Sequence, residues 1–495
     1  MPEQTGPSTQ KKTVETQEQR PMRGLLAEAP MRAVLVSIDA SETDWPIEES
    51  LDELEQLATT AGVVVADRLV QRMEHAHTAT LLGSGKVKEL KNLLEFHDCD
   101  AVIFDLELKP SQHRNLEREL EVQVLDRTAL ILIIFGQRAQ TREGRLQVEL
   151  AQVEYDLPRL TRQWSHLSRQ SGGGTNQRGE GEKQIEVDRR MLRRQKDQLS
   201  ADLEMVRSQR QLHRERRKYT GSPVVALVGY TNAGKSTLLN RLAGSSTLAE
   251  DKLFATLDPT TKRVRLNGGQ EILLSDTVGF VQRLPTTLVA AFRATLEEVG
   301  EADMLLHVVD ASHPHYQHQI DAVELVLEEI GAGGLPMVVA LNKADQLPPE
   351  AKIQLAGIAA TVPTIEVSAL AGTGIEGLLH CISEELVKQF VAIDVIIPYD
   401  RGDLVAQFHQ FGMIESEEYE DAGTHLHGYL PDNHSGPFFA FQQGSRLRKP
   451  KVHKGKVLLY TSTPNGVIPY EPKADKVDEE AEGIEAEETP SLIKG

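Results

Sequence analysis

GYTNAGKS (229–236) follows directly on the apolar run VVALV (224–228), and its last residue opens STLLNRLAG (236–244). The order predicts a buried strand that turns sharply into a helix. Glycines permit that turn and let successive backbone N–H groups surround phosphate oxygens at the helix N-terminus. Gly229, Tyr230, Thr231, Asn232, Ala233, Gly234, Lys235 and Ser236 are therefore candidate nucleotide contacts. Lys235 is placed to reach the β- and γ-phosphates as a catalytic group, and the Ser236 hydroxyl to ligate Mg²⁺. The fold around such a loop is α/β.

Three shorter motifs follow in a fixed order: DTVG (276–279), NKAD (342–345) and SAL (368–370). Each comes after an apolar, β-branched run, so each is expected at the carboxyl end of a strand. Asp276 can hold the metal through a water, and the Gly279 N–H can meet the γ-phosphate as the second catalytic candidate. Thr277 and Val278 lie between them. In NKAD, Asn342 braces neighbouring loops and the Lys343 stem packs along the base, with Ala344 between it and Asp345. The Asp345 carboxylate accepts from the N1 and N2 protons of guanine, which adenine lacks. A polar group left unpaired by the wrong base makes such a choice strong. Ser368, Ala369 and Leu370 offer a backbone N–H to the guanine oxygen. The series reads as a site for GTP and GDP, as substrate and product, and argues against an ATP-using enzyme.

Between phosphate loop and second strand lies FATLDPTTKR (254–263). A mobile loop here must sense the γ-phosphate, and a threonine in it can ligate Mg²⁺ and release it after hydrolysis. Thr256, Thr260 and Thr261 compete for that task. After DTVG many GTPases carry a glutamine that orients the attacking water. Here the residue is Phe280, so slow intrinsic hydrolysis accelerated by a partner is expected.

The 495-residue chain has room for several domains, and its formal charge of −20 argues against general coating of nucleic acid. The charge is uneven, however. From 189 to 219, eleven Lys and Arg face four acids; from 471 to 495, nine acids face three lysines. No apolar run is long enough for a membrane span, and two cysteines are too few for a disulfide framework or zinc site. A reducing, cytoplasmic setting is expected. The strands MRAVLVSID and DAVIFDLE alternate with helical patterns at 50–62, 84–97 and 110–121, predicting a small, mostly parallel α/β domain. Two long helical patterns then flank SGGGTNQRGEGE, suggesting a hairpin whose second arm is basic: Arg189, Arg190, Arg193, Arg194 and Lys196, then Arg214, Arg216, Arg217 and Lys218. GSGK (83–86) is read as a turn capping a helix, with a second nucleotide site as the minor option. His313, His315 and His318 read as a loop, not a metal site.

FATLDPTT, DTVGFVQRLP, DASHP and RGEGEKQIEVDRR together resemble the HflX family of translational GTPases, over about residues 31–470. The resemblance implies a Ras-like P-loop GTPase domain preceded by a small α/β domain and a helical hairpin, and followed by a small α+β domain. Expected boundaries are a disordered tail at 1–30, then 31–140, 141–220, 221–390 and 391–470, with a disordered acidic tail at 471–495. It further implies that Phe254, Ala255, Thr256, Leu257 and Asp258 contact nucleotide, with Thr256 as the switch threonine and Mg²⁺ ligand. The implied partner is the large (50S) ribosomal subunit, through its RNA and proteins, with roles in ribosome splitting, rescue or biogenesis; a monomer without membrane insertion is expected. The alternative is a nucleotide-gated RNA-binding assembly factor in which hydrolysis is incidental. The chain departs from the family pattern at Asn176 and Glu180, where a glycine and a proline are expected.

Overall fold

The computed structural model describes residues 30–39, 45–72, 77–160, 178–220, 222–245, 253–266, 270–282, 298–348, 353, 355–442, 459–463 and 466–470. Residues 1–29 and 471–495 of the sequence-predicted tails and the glycine-rich bend before residue 178 lie outside these residues.

Four parallel strands form the N-terminal sheet: β1 (Arg32–Asp39), β2 (Val64–Arg72), β3 (Ala101–Phe104) and β4 (Gln123–Asp126), in the order β2-β1-β3-β4. Helices α1 (Ile47–Thr60), α2 (Ser84–Phe96), α3 (Pro110–Leu120) and α4 (Arg127–Arg138) alternate with them. A parallel sheet needs crossovers, and these cover both faces, so β1 and β3 are buried almost throughout. Ala33, Leu35, Ala101 and Ile103 face α1 and α4, while Val34, Val36, Val102 and Phe104 face α2 and α3. The apolar run ALILIIF lies in α4, whose N-terminus is capped by the Asp126 carboxylate accepting from the Ala129 N–H. GSGK opens α2, with Gly83 as its extended N-cap.

α5 (Arg142–Asp156) leads to α6 (Arg178–Thr220), whose 43 residues span about 65 Å. Leu199 and Leu203 are buried, and Lys196 pairs with Glu154 of α5 (2.8 Å). Arg190, Arg193 and Arg194 are exposed; Arg189 and Lys196 are half-buried.

The central sheet runs β15-β14-β10-β9-β8-β5-β7-β6. It comprises β5 (Val224–Val228), β6 (Thr260–Arg265), β7 (Glu271–Asp276), β8 (Met304–Asp310), β9 (Met337–Asn342), β10 (Thr364–Glu366), β14 (Leu459–Thr463) and β15 (Gly466–Tyr470). Only β6 and β15 run antiparallel to their neighbours. A separate antiparallel sheet, ordered β11-β13-β12, joins β11 (Val391–Ile397), β12 (Met413–Glu420) and β13 (Gly423–Leu430). It packs on the helix Gly402–Phe411 around Phe408 and Phe438. The segment expected to form one C-terminal unit thus feeds two sheets, because β14 pairs with β10. Among the described residues no helix is long and apolar enough to cross a membrane.

Candidate functional site

At the carboxyl end of β5 the chain enters α7 (Lys235–Leu242) through the phosphate loop. Two glycines there have no substitute. Gly229 has φ +149° and a Cβ would lie 2.2 Å from the Val308 carbonyl; Gly234 has φ +91° and a Cβ would lie 2.3 Å from Asn342 Nδ2. Asn342 donates to the Ala233 carbonyl (2.8 Å) and accepts from the Ala369 N–H (3.0 Å). One buried side chain therefore braces the phosphate loop, NKAD and SAL together.

Lys343 sits at φ +62° and its ammonium meets Asp310 (2.6 Å). Asp345 is exposed in the 3-10 turn Ala344–Gln346, tied down by Ala344 N–H donating to the Val367 carbonyl (3.1 Å). The Ser368 hydroxyl accepts from the Ala371 N–H (3.0 Å), and Leu370 is exposed. Arg241 of α7, which the motifs did not reveal, donates to the Ala369 and Leu370 carbonyls and holds this loop in place. Nothing in its local sequence distinguishes it from a surface arginine.

The Lys235 ammonium is buried and donates to the Gly229 (3.0 Å) and Tyr230 (2.7 Å) carbonyls. Burial pushes its pKa down to about 8 against the opposing pull of Asp276. Beneath it, burial keeps His307 neutral, its pKa pushed down to about 3.

Opposite Lys235, three oxygen donors converge. The Asp276 carboxylate accepts from Ser236 (2.6 Å) and Thr256 (2.7 Å), whose hydroxyls are 2.9 Å apart. The other Asp276 oxygen is buried without a hydrogen-bond partner. Hard oxygen donors gathered in this way suit Mg²⁺. Of the three competing threonines, only Thr256 reaches this cluster: Thr260 is exposed on β6, and Thr261 lies nearest Ser275 (3.4 Å). Lys235, Ser236 and Thr256 line an open cleft, along with Thr231, Asn232, Gly234, Thr237, Phe254, Ala255, Thr277 and Gly279. Thr237 escaped the sequence reading.

Gly279 packs against Thr231 and the Lys235 ammonium, each within 3.0 Å of a hypothetical Cβ. The next residue turns away: Phe280 exchanges backbone hydrogen bonds with Gly229 and Thr231, and its ring is buried beside Tyr230 and Val299. The position that carries a glutamine in many GTPases is a core position here.

Five residues expected at the nucleotide face the N-terminal domain. Phe254, which also lines the cleft, packs edge-on against Phe135 (4.7 Å), and Leu257 and Val278 are buried in the same core as α1 and α4. Asp258 bonds to Gln140 and Thr141. Tyr230 donates to Glu53 and accepts from the Gln282 N–H (2.6 Å). Glu53 also pairs with Arg127, which is 2% exposed and bound to Asp105 (2.7 Å); Ser50 joins Asp105 to Gln282. Truncating a member of such a buried charge set costs about 3–5 kcal/mol. His315 pairs with Glu49 of α1 (2.5 Å), and His318 lies against Trp45 (5.0 Å). His315 and His318 thus serve the domain contact, whereas His313 lies against His315; the triad with metal-ligand spacing among the described residues is Glu418, Glu420 and His425.

The lowered Lys235 pKa has a measurable consequence. In the nucleotide-free protein the unfolded state binds more protons between about 8 and 10.5, so this group lets stability rise with pH across that window. A triphosphate bound beside Lys235 would favour the ammonium form. Calorimetry near pH 9 in buffers of different ionisation heat should show proton uptake of roughly half to one equivalent on triphosphate binding, and almost none near pH 7. A buffer-independent heat at both values contradicts the assignment.

Three family models match in succession: "GTP-binding GTPase N-terminal" over 48–136, "GTP-binding GTPase Middle Region" over 138–217, and "50S ribosome-binding GTPase" over 224–343. GTPase HflX of Alkalihalophilus pseudofirmus is 46% identical over 389 residues, covering 79% of this chain and 90% of that one. GTPase HflX of Escherichia coli K12 is 42% identical over 398 residues, covering 80% and 92%. A GTP-binding protein from Sulfolobus solfataricus, solved in complex with GDP, is 25% identical with a TM-score of 0.40, covering 72% of this chain and 99% of that one.

Proposed function

The chain belongs to the HflX family of GTPases, and we propose on that premise that it is a Mg²⁺-dependent switch whose GTP-bound form associates with the large ribosomal subunit. It is a GTP-hydrolysing enzyme by family. The convergence of Ser236, Thr256 and Asp276 beside Lys235 is the observation that carries the switch reading. Ser236 and Thr256 would hold Mg²⁺ by their hydroxyls, and Asp276 through water. When bound, the ion neutralises charge on the β- and γ-phosphates. Lys235 exchanges its loop carbonyls for phosphate oxygens, Gly279 offers its N–H to the γ-phosphate, and Asn342 keeps the base-reading loops aligned with the phosphate loop. Losing the γ-phosphate removes the reason for Thr256 to stay closed, so the 253–258 segment reports nucleotide state.

Ribosome association rests on the matched 50S-binding model and on the exposed Arg190, Arg193 and Arg194 of α6. On an otherwise acidic chain these are where RNA phosphates find complementary charge, so binding should weaken steeply with salt. Sedimentation of the full chain with purified large subunits tests this. Co-pelleting with a non-hydrolysable GTP analogue, and little with GDP or no nucleotide, is expected. Equal recovery in all three conditions overturns the switch reading.

A further inference from the structure

The loop carrying Thr256 is held from both sides. Ala255 and Thr256 face the cleft, while Leu257 and Asp258 face the N-terminal domain. Asp258 Oδ2 accepts from the Gln140 (2.8 Å) and Thr141 (2.9 Å) N–H groups, and Oδ1 accepts from the Thr141 hydroxyl. Thr141 is the N-cap of α5, its hydroxyl also accepting from the Gly144 N–H (2.9 Å). A carboxylate belongs at this end of a helix, where N–H groups lack partners and the dipole favours negative charge. The fit is close, since a Cβ on Gly144 would come within 2.4 Å of Asp258 Oδ1.

We propose that Asp258 is a positioning residue: by docking on the start of α5 it fixes where Thr256 stands, so that the N-terminal domain sets the enzyme's preference for GTP over GDP. The inference rests on Thr256 being a metal ligand. Only Leu257 separates the anchor from that ligand, and Phe254 on Phe135 secures the other end of the segment. A bond made only when Thr256 is closed favours the nucleotide that closes it. By reciprocity, GTP with its metal then tightens the grip between the domains, and GDP loosens it.

Asp258→Asn retains the shape but turns an amide N–H₂ toward donors, losing charge-assisted bonds. In the full chain, the affinity for a fluorescent non-hydrolysable GTP analogue should fall about tenfold. GDP affinity should change less than about twofold, and the Mg²⁺ midpoint for analogue binding should rise by a similar factor to the analogue loss. Thr141→Val, which removes the hydroxyl that donates to Asp258 and caps α5 but keeps both backbone N–H donors, should move both readouts in the same direction but less. The double variant should fall short of the summed effects, because the two side chains share one contact. Equal losses of GDP and analogue in both variants overturn the proposal, since they signal a merely structural contact. So does an unchanged analogue-to-GDP ratio while Thr256→Ala shifts the Mg²⁺ midpoint; that result leaves the metal reading standing. If Thr256→Ala moves no midpoint, the metal reading itself fails and takes this inference with it.

Discussion

Asp345→Asn should collapse the preference for GTP over ATP. A site whose carboxylate meets the two guanine donors should favour GTP by ~10⁴-fold, because adenine supplies no such donor pair and leaves the carboxylate unpaired. Asparagine has nearly the same shape and does not disturb the turn Ala344–Gln346, whose anchors are backbone bonds to Val367 and Lys343. Its amide nitrogen meets guanine donors with further N–H groups, so GTP affinity should drop by ~10² or more, as expected for lost bonds to a charged group. The same nitrogen can donate to adenine N1, so the ratio should fall from both directions. Competition of GTP and ATP against a labelled GDP, in wild type and variant, reads this directly. Equal affinities in wild type, or an unchanged ratio in the variant, contradict the base-reading role of Asp345.

Much of the site was legible because phosphate-loop chemistry is local. A strand, a glycine turn and a helix are contiguous in sequence, and the residues at 229–236 land where that order requires. Asp276 and Asn342 end strands and Ser368 follows one, so their place at the carboxyl ends of the sheet also followed from sequence. The choice among Thr256, Thr260 and Thr261 did not, since side-chain direction in an irregular loop has no period to reveal it. Phe254, Asn232 and Lys343 hold positive φ without being glycine, a strain that the surrounding contacts impose and no propensity announces.

The domain contact was illegible for a different reason. Asp258 and Thr141 are 117 residues apart, and Tyr230 and Glu53 are 177 apart. Thr141 and Glu53 alone read as ordinary surface polar groups, and Asp258 and Tyr230 as nucleotide contacts. Arg127 looks like a helix-start arginine until Asp105 and Glu53 surround it. The run ALILIIF illustrates a further limit: a short apolar stretch suits a buried strand or a buried helix equally, and the Asp126 cap settles the matter. Where pattern and burial agreed, as in β1 and β3, both faces of the N-terminal sheet followed from the sequence.

Among the described residues, the expected water-orienting glutamine is missing from the cleft. Phe280 lies in the core, and Gln282, the nearest following glutamine, is tied by Ser50 (2.9 Å) and by Tyr230 to the N-terminal domain. Among the described residues, the cleft therefore holds a cation, backbone donors and hydroxyls for the phosphates, but no glutamine facing the attacking water. Chemistry of this kind depends on positioning and charge, and groups supplied by a partner add ~10³–10⁵ in rate. The large ribosomal subunit is the partner proposed here. The most direct measurement is the initial rate of multiple-turnover GTP hydrolysis by the full chain, alone and with purified large subunits. A rise of ~10³ is the expected result. Identical rates with and without the subunit contradict a switch completed on the ribosome and favour a factor for which hydrolysis is incidental.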